Sequence, residues 1–318
     1  RARRTTTPRA VPVGGSLRID ANDQIVTARI QRLGSSGVVA QGVVTLAERE
    51  MLGGQLTMRS NDLPAVVRTA ERMMGKRTGT LLPTPIAGEV EAVASIAGSI
   101  HEPYVSTRVN APALQVGTVP DIRIGLAAAY AGNTITVSGL DANWAGSQAH
   151  AEGRVALTDP PRLDFTVQAD DVEVESVLAA VNRSDIPVAG SASLWGTVTG
   201  TTERPRGGVN LWASNLVAYQ EPLGELTVNA SLENQRVTVD TLELTKPQDD
   251  STAHVSGTGS YVLDRHTYTV ALESTDLRLE HAVLPGGTPL RGRVQLNVDR
   301  SGSIEQPVGT ADARKSEV

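Results

Sequence analysis

A spacing of 102 residues governs this chain. Pro85-Ile86-Ala87-Gly88 returns as Pro187-Val188-Ala189-Gly190 and again as Pro289-Leu290-Arg291-Gly292. In each copy apolar residues then occupy every second position up to another glycine (Gly98, Gly200, Gly302) and another proline (Pro103, Pro205, Pro307), with no insertion or deletion. Proline makes up about one residue in twenty of ordinary sequence. Six prolines on one 18-residue spacing and one 102-residue period are therefore not a product of composition. The chain reads as a repeat array, whose unit must be able to pack beside its own copy.

The match extends past the prolines. Leu114, Leu216 and Val318 are equivalent, as are Pro120 and Pro222, Ile135 and Val237, Val137 and Val239, and Leu140 and Leu242. After Gly146 the register slips, yet His150-Ala-Glu-Gly153 still matches His254-Val-Ser-Gly257 and Asp171-Val172 matches Asp276-Leu277. A partial copy precedes Pro85, with Leu17 and Ile19 in the places of Ile124 and Leu126, and Asp62-Leu63 in that of Asp171-Val172. The expected organisation is a partial unit over 1–84, full units over 85–186 and 187–288, and a truncated unit over 289–318. It is that of a piece cut from a longer array.

Periodicity assigns most of the chain to strands. Val188, Ala192, Leu194 and Val198 fall on one parity, while Ser191, Ser193, Thr197 and Thr199 fall on the other, the alternation of a strand with one apolar and one wet face. Hairpins are expected at Ala131-Gly132-Asn133, Glu233-Asn234-Gln235 and Asp264-Arg265-His266, each flanked by alternating segments. About seven short strands fit in each unit. Two segments break the period of two. Asn61-Asp62-Leu63-Pro64 reads as a helix start, with Val66, Val67, Ala70, Met73 and Met74 at helical spacing and Gly75-Lys76 as the stop. Its counterpart runs from Asp171 to Asn182, and a shorter third copy spans Asp276 to Leu284. Each unit is thus expected to close with a short helix or helical turn that covers a sheet edge or caps the end of a groove.

Composition narrows the function classes. The absence of cysteine excludes disulfide scaffolds, thiolate metal sites and cysteine nucleophiles. A net charge of −6 with no basic stripe argues against nucleic acid as a partner. No nucleophile elbow, His-Glu-x-x-His helix or phosphate loop occurs. His150 and His254 are equivalent by repeat but one unit apart, too far to share a metal. The acidic cluster Asp170, Asp171, Glu173 and Glu175 is expected to cap a helix start, where carboxylates favour the dipole. Asp20-Ala21-Asn22-Asp23, which resembles a calcium linker, is expected to be a solvated hairpin turn. No enzyme activity, metal or cofactor is expected. Tandem immunoglobulin-like sandwiches of an adhesin or surface stalk share the period of about 100 residues. They normally carry one aromatic anchor per unit, whereas Trp144, Trp195 and Trp212 occupy three different places.

The stretch Gly196 to Gly207, the Leu-Trp-Ala-Ser-Asn-Leu of Leu211 to Leu216 and the Ser-Thr-Asp-Leu-Arg-Leu of Ser274 to Leu279 resemble the large AsmA-like envelope proteins. Within that superfamily the chain is most similar to the middle of the TamB family, the inner-membrane components of translocation and assembly modules. The resemblance covers nearly the whole chain from about Gly14. It implies an all-β repeat fold: a long, twisted antiparallel sheet curled into an open, taco-like trough with an apolar lumen. It implies a periplasmic location, an inner-membrane anchor outside this segment, and an outer-membrane assembly partner of the BamA-like family that binds elsewhere. It also implies a role in conducting phospholipid acyl chains between the two membranes and supporting outer-membrane protein assembly. Some twenty strands at about 4.8 Å spacing would give a trough of roughly 100 Å. By strand parity the lumen is expected to receive Ala92, Ala94, Ile96, Ile124, Leu126, Val137, Val167, Val188, Leu194, Val198, Leu211, Leu226, Val228, Val239, Val270, Leu272, Val294 and Leu296, with Ser193, Thr197 and Thr199 facing water.

Overall fold

The computed structural model describes residues 13–35, 37–48, 50–73, 79, 84–180, 183–248, 251–283, 289–303 and 307–316. Met74, Gly75, Lys76, Val181, Asn182, Leu284 and Val318 of the expectations above lie outside them. The protein is all-β, with two short helices among the described residues. Its strands are β1 (Gly14–Ala21), β2 (Ile25–Ser35), β3 (Val38–Ala47), β4 (Met51–Ser60), β5 (Ile86–Gly88), β6 (Val90–Gly98), β7 (Pro103–Val116), β8 (Val119–Ala131), β9 (Thr134–Trp144) and β10 (Ser147–Ala156). They continue as β11 (Arg162–Glu173), β12 (Val188–Thr201), β13 (Pro205–Ala218), β14 (Glu221–Glu233), β15 (Arg236–Pro247), β16 (Thr252–Val262), β17 (Thr267–Val283), β18 (Pro289–Ser303) and β19 (Pro307–Ser316). Helix α1 (Leu63–Met73) follows β4, and α2 (Val174–Ala180) follows β11.

Two compact units are present. The first holds β1 to β9, α1 and the His150–Ala156 part of β10. Its strands pair antiparallel in the order β1-β2-β3-β4-β6-β7-β8-β9, and β5 extends the edge of β6 against β7. The second unit carries β11 to β19 as an uninterrupted antiparallel meander. Within neither unit does a described pairing join the first strand to the last, so neither sheet is a closed barrel.

Hydrogen bonding crosses every proline boundary. β6 pairs with β4 across Pro85, β12 with β11 across Pro187, and β18 with β17 across Pro289. An array of separate sandwiches would interrupt the ladder at these points, whereas here it runs on.

The repeat spacing carries through to backbone geometry. Gly98 and Gly200 both have φ of +91°, and an added Cβ would sit 2.4 Å from the Glu102 carbonyl oxygen or 2.6 Å from that of Arg204. Both glycines end a strand opposite a proline, in the pairs Gly98–Pro103 and Gly200–Pro205. The Ser99 amide donates to the Glu102 carbonyl at 3.1 Å and the Thr201 amide to the Arg204 carbonyl at 3.3 Å. The bulge between Ala111 and Leu114 recurs between Ala213 and Leu216, and that between Ala127 and Ala128 recurs between Asn229 and Ala230. Bulges bend and twist a sheet locally, so the same bends are imposed at the same places in each copy.

The three expected hairpin turns fall between β8 and β9, β14 and β15, and β16 and β17. The segment from Pro85 to Ile186 forms seven strands. The next copy forms six, because β12 is continuous where β5 and β6 are separated by Glu89. In the β1–β2 turn, the Asn22 side-chain oxygen accepts from the Gln24 and Ile25 amides at 3.0 and 2.7 Å, an Asx turn.

Two helix expectations need correction. Helix α1 starts as expected, with the Asp62 carboxylate accepting from the Ala65 amide at 3.0 Å and Pro64 in the first turn, where a missing N–H costs nothing. Helix α2 begins only at Val174, because a bulge with Asp171 in the left-handed region (φ 51°) carries β11 on to Glu173. Asp170, Asp171 and Glu173 are consequently strand residues, and only Glu175 lies in a first helical turn. The third helix does not form: Asp276 to Val283 belong to β17. There Leu277, Arg278 and Leu279 pair with Val294, Arg293 and Gly292 of β18, which holds the segment extended. The Arg278 backbone gains two more partners, its N–H donating to Gln248 Oε1 at 2.9 Å and its carbonyl accepting from Lys246 Nζ.

Candidate functional site

Side chains directly opposite each other in an antiparallel ladder share a face. Tracing the pairs therefore shows which residues line up across each sheet. In the first unit Met58–Ala92–Val109–Leu126–Leu140 and Leu56–Ala94–Thr107–Ala128–Val137 are continuous rows. Ile96 joins the same face opposite Gly54 and Val105, and Ile124 joins it opposite Ala111 and Ala142. Leu17 and Ile19 of β1 lie on that face through Ile30 and Ala28. The reverse face carries Arg59, Glu91, Arg108 and Asn110, with an Arg59–Glu91 ion pair at 2.8 Å.

The second unit repeats the arrangement. Ala169–Leu194–Leu211–Val228–Leu242–Gly257–Leu272 is one row; Phe165–Val198–Gly207–Leu232–Val237 is another. Val167, Leu226, Val239 and Val270 share this face through Gly196, Ala213, Ala230 and Gly259. Val188 pairs with Ala218 beyond a register shift, while Val294 and Leu296 hold the β18 positions opposite Leu277 and Ser274; the Val294 and Leu296 side chains lie outside the described residues. Ser193, Thr197 and Thr199 stand on the reverse face, opposite Trp212, Gly208 and Arg206.

The apolar face of each unit is only partly covered. Of the residues expected in the lumen whose side chains are described, Ala94 is buried and the rest are half-buried. In the second unit the face holds a depression of about 300 Å³. Val167, Leu194, Val198, Val209, Leu232 and Val237 form its walls and Gly196, Gly207 and Gly208 its floor. The glycines make the hollow: Gly196 stands between Val167 and Val209, and Gly207 between Val198 and Leu232. A Cβ at Gly207 would lie 2.4 Å from the Thr197 carbonyl oxygen, so the close backbone approach requires glycine.

Full burial concentrates at the end of the strands that carries the bulges. There Ala111, Leu114 and Val119 in one copy, and Ala213 and Leu216 in the next, fall below one-tenth exposure. Helix α1 covers this end in the first unit, with Leu63 packed on Ala111 and Leu114 and against Ile122 and Ile124. The opposite, hairpin end has no such cover among the described residues.

Sequence reasoning missed a buried charge. Glu221 and Lys246 have side chains 3 % and 6 % exposed and form an ion pair. Lys246 lies in the row of the apolar face, opposite Ala253. The signal was present in the repeat, since positions 102 residues earlier hold Val119 and Trp144. Ser274, on the same face opposite Val255, is 4 % exposed and its hydroxyl has no hydrogen-bond partner.

The remaining candidates are scattered. His150 Nδ1 lies 2.7 Å from Asp141 Oδ1 at the surface. No group of three or more His, Cys, Asp or Glu side chains converges on a metal-sized site among the described residues. Glu175 accepts from the Gly190 amide at 3.3 Å and Glu173 from the Ser176 hydroxyl at 3.0 Å, so these carboxylates organise the β11–α2–β12 turn. Trp195 and Trp212 are each 49 % exposed, on the face opposite the apolar one. No helix among the described residues is long and apolar enough to cross a membrane. No known protein family, curated protein or solved structure matches this chain.

Proposed function

We propose that this chain is part of a bacterial envelope protein of TamB type that carries phospholipid acyl chains on an open apolar β-face between the inner and outer membranes and so supports outer-membrane assembly. On this reading it works in the periplasm, anchored to the inner membrane by another segment, with a BamA-like partner contacting a different part of the protein. It carries out no catalysis. One observation carries the proposal: each unit presents rows of Val, Leu, Ile and Ala along one face of an open sheet, and those side chains remain half-exposed.

An uncovered apolar face of this kind marks an interaction surface. Each methylene removed from water contributes about 0.8 kcal/mol, so a tail of some sixteen carbons gains on the order of 10 kcal/mol before entropy. No specific pocket is then needed. The ladder's continuity across Pro85, Pro187 and Pro289 favours a conduit over a stalk of separate sandwiches.

Binding of a fluorescent phospholipid to the purified chain tests the reading. Leu194→Arg and Val228→Asp should each reduce binding tenfold or more while the far-ultraviolet circular dichroism stays that of a folded sheet, because the open side lets a single charge reach water. In a sealed core the same charge would be buried unpaired and would unfold the unit. Unfolding, or unchanged binding, would refute the proposal.

A further inference from the structure

The Glu221–Lys246 pair sits where β17 leaves the regular ladder. The pairing of β16 with β17 ends at Val255–Ser274. Beyond it β17 shifts register, and its Arg278 carbonyl and amide are bonded by Lys246 and Gln248 of the β15 end, two strands away. Strands β14 and β17 also approach each other although β15 and β16 lie between them. The sheet is thus curled over its own apolar face at this end, and Lys246 ties the two sides together, with its ammonium held between the Glu221 carboxylate of β14 and the Arg278 carbonyl of β17. In the first unit α1 covers the corresponding end with apolar packing.

We propose that Glu221, Lys246 and the Arg278 carbonyl form a clasp that shuts the bulged end of this stretch of the face to acyl chains, so that a bound tail lies toward the hairpin end around Leu232 until the clasp opens. The lipid part of this inference rests on the function proposed above; the clasp itself does not. A charged pair on an apolar wall blocks a sliding hydrocarbon, since passage would strip the charges of their partners and replace them with nothing that can hydrogen-bond. Ser274 adds a reason for opening. Its hydroxyl is enclosed at the same end without a partner, and opening would hydrate it.

The chain contains no cysteine, so two nitroxides can be placed uniquely, by Glu225→Cys on β14 and Glu273→Cys on β17, both exposed. The expected result is a single narrow distance in this background and a longer, broader distribution when Lys246→Met is added. Should Lys246→Met fail to fold, the charge-neutral Glu221→Gln/Lys246→Met pair serves the same comparison. In parallel, photo-crosslinkers at Leu232 and Leu244 are exposed to phospholipid vesicles. With the clasp intact, adducts should form at Leu232 at least fivefold more than at Leu244, and opening the clasp should bring Leu244 to within twofold of Leu232. An unchanged distance distribution in a folded variant would overturn the clasp. Equal adducts at both positions with the clasp intact would overturn its role as a barrier. Absence of adducts everywhere would count against lipid carriage and leave the clasp to the distance measurement.

Discussion

The copies spanning 85–186 and 187–288 are the same backbone closed in two ways. Ala111 and Ala213 are both 2 % exposed, and Leu114 and Leu216 both 7 %. The next buried position is Val119 in one copy and Glu221 in the other, 8 % and 2 % exposed. The partner position changes with it, from Trp144 to Lys246. A fold repeated this faithfully has no geometric need for a buried ion pair at that point, since its sibling reaches the same shape with a valine and an indole. Replacing such pairs by packed apolar groups is often neutral or stabilising. The difference therefore belongs to what passes over the face, not to what holds the sheet.

Breaking the pair on one side is the largest perturbation of this comparison. Lys246→Met should lower stability by about 3–5 kcal/mol, because Glu221 is left buried and uncompensated. Importing the sibling's solution, Glu221→Val with Lys246→Trp, should recover stability to within about 1 kcal/mol of the parent. Urea unfolding followed by circular dichroism measures both. A fully neutral Lys246→Met would mean that water already reaches the pair.

A smaller effect sharpens the equivalence. Leu114→Ala and Leu216→Ala each remove a buried leucine beside the same bulge, at a cost of about 2–4 kcal/mol. Similar values for the two are expected, and a gap above about 1.5 kcal/mol would show that the α1 packing over Leu114 changes how its copy relaxes. The smallest effect concerns backbone strain. Gly117 has φ of +59°, and its counterpart Tyr219 holds φ of +51°; the Gly117 and Tyr219 amides donate to the Pro85 and Pro187 carbonyls at 2.8 and 3.0 Å. Tyr219→Gly should stabilise by about 0.5–1 kcal/mol by removing a left-handed non-glycine residue. Destabilisation in the same unfolding experiment would mean that the half-exposed ring contributes more packing than its strain costs.

Much of this architecture is legible in the sequence because strand parity and the proline spacing are both local signals. Leu194 and Ser193 differ by one position, and the period of two is enough to put them on opposite faces. The bulges preserve that assignment across strands by inserting residues at equivalent places, so Ala213 and Leu216 stay on one face despite their odd separation. What is not legible is long-range. Asp276 to Val283 has the composition of its helical counterparts, and it is held extended by pairing with β18 and by Lys246 and Gln248, which lie some 30 residues upstream. The acidic cluster at Asp170 misleads for a related reason, since the bulge at Asp171 keeps the chain extended and delays the helix to Val174. The buried pair is visible only by reading one copy against the other.

The central claim is that the rows through Leu194 and Val228 form a surface that hydrocarbon occupies while the row through Thr197 meets water. Photo-crosslinking residues at Leu194, Val228 and Thr197 in the folded chain, exposed to phospholipid and analysed by mass spectrometry, test it most directly. Lipid adducts at Leu194 and Val228 with none above background at Thr197 are the predicted result; equal labelling at all three positions, or none at any, would contradict it.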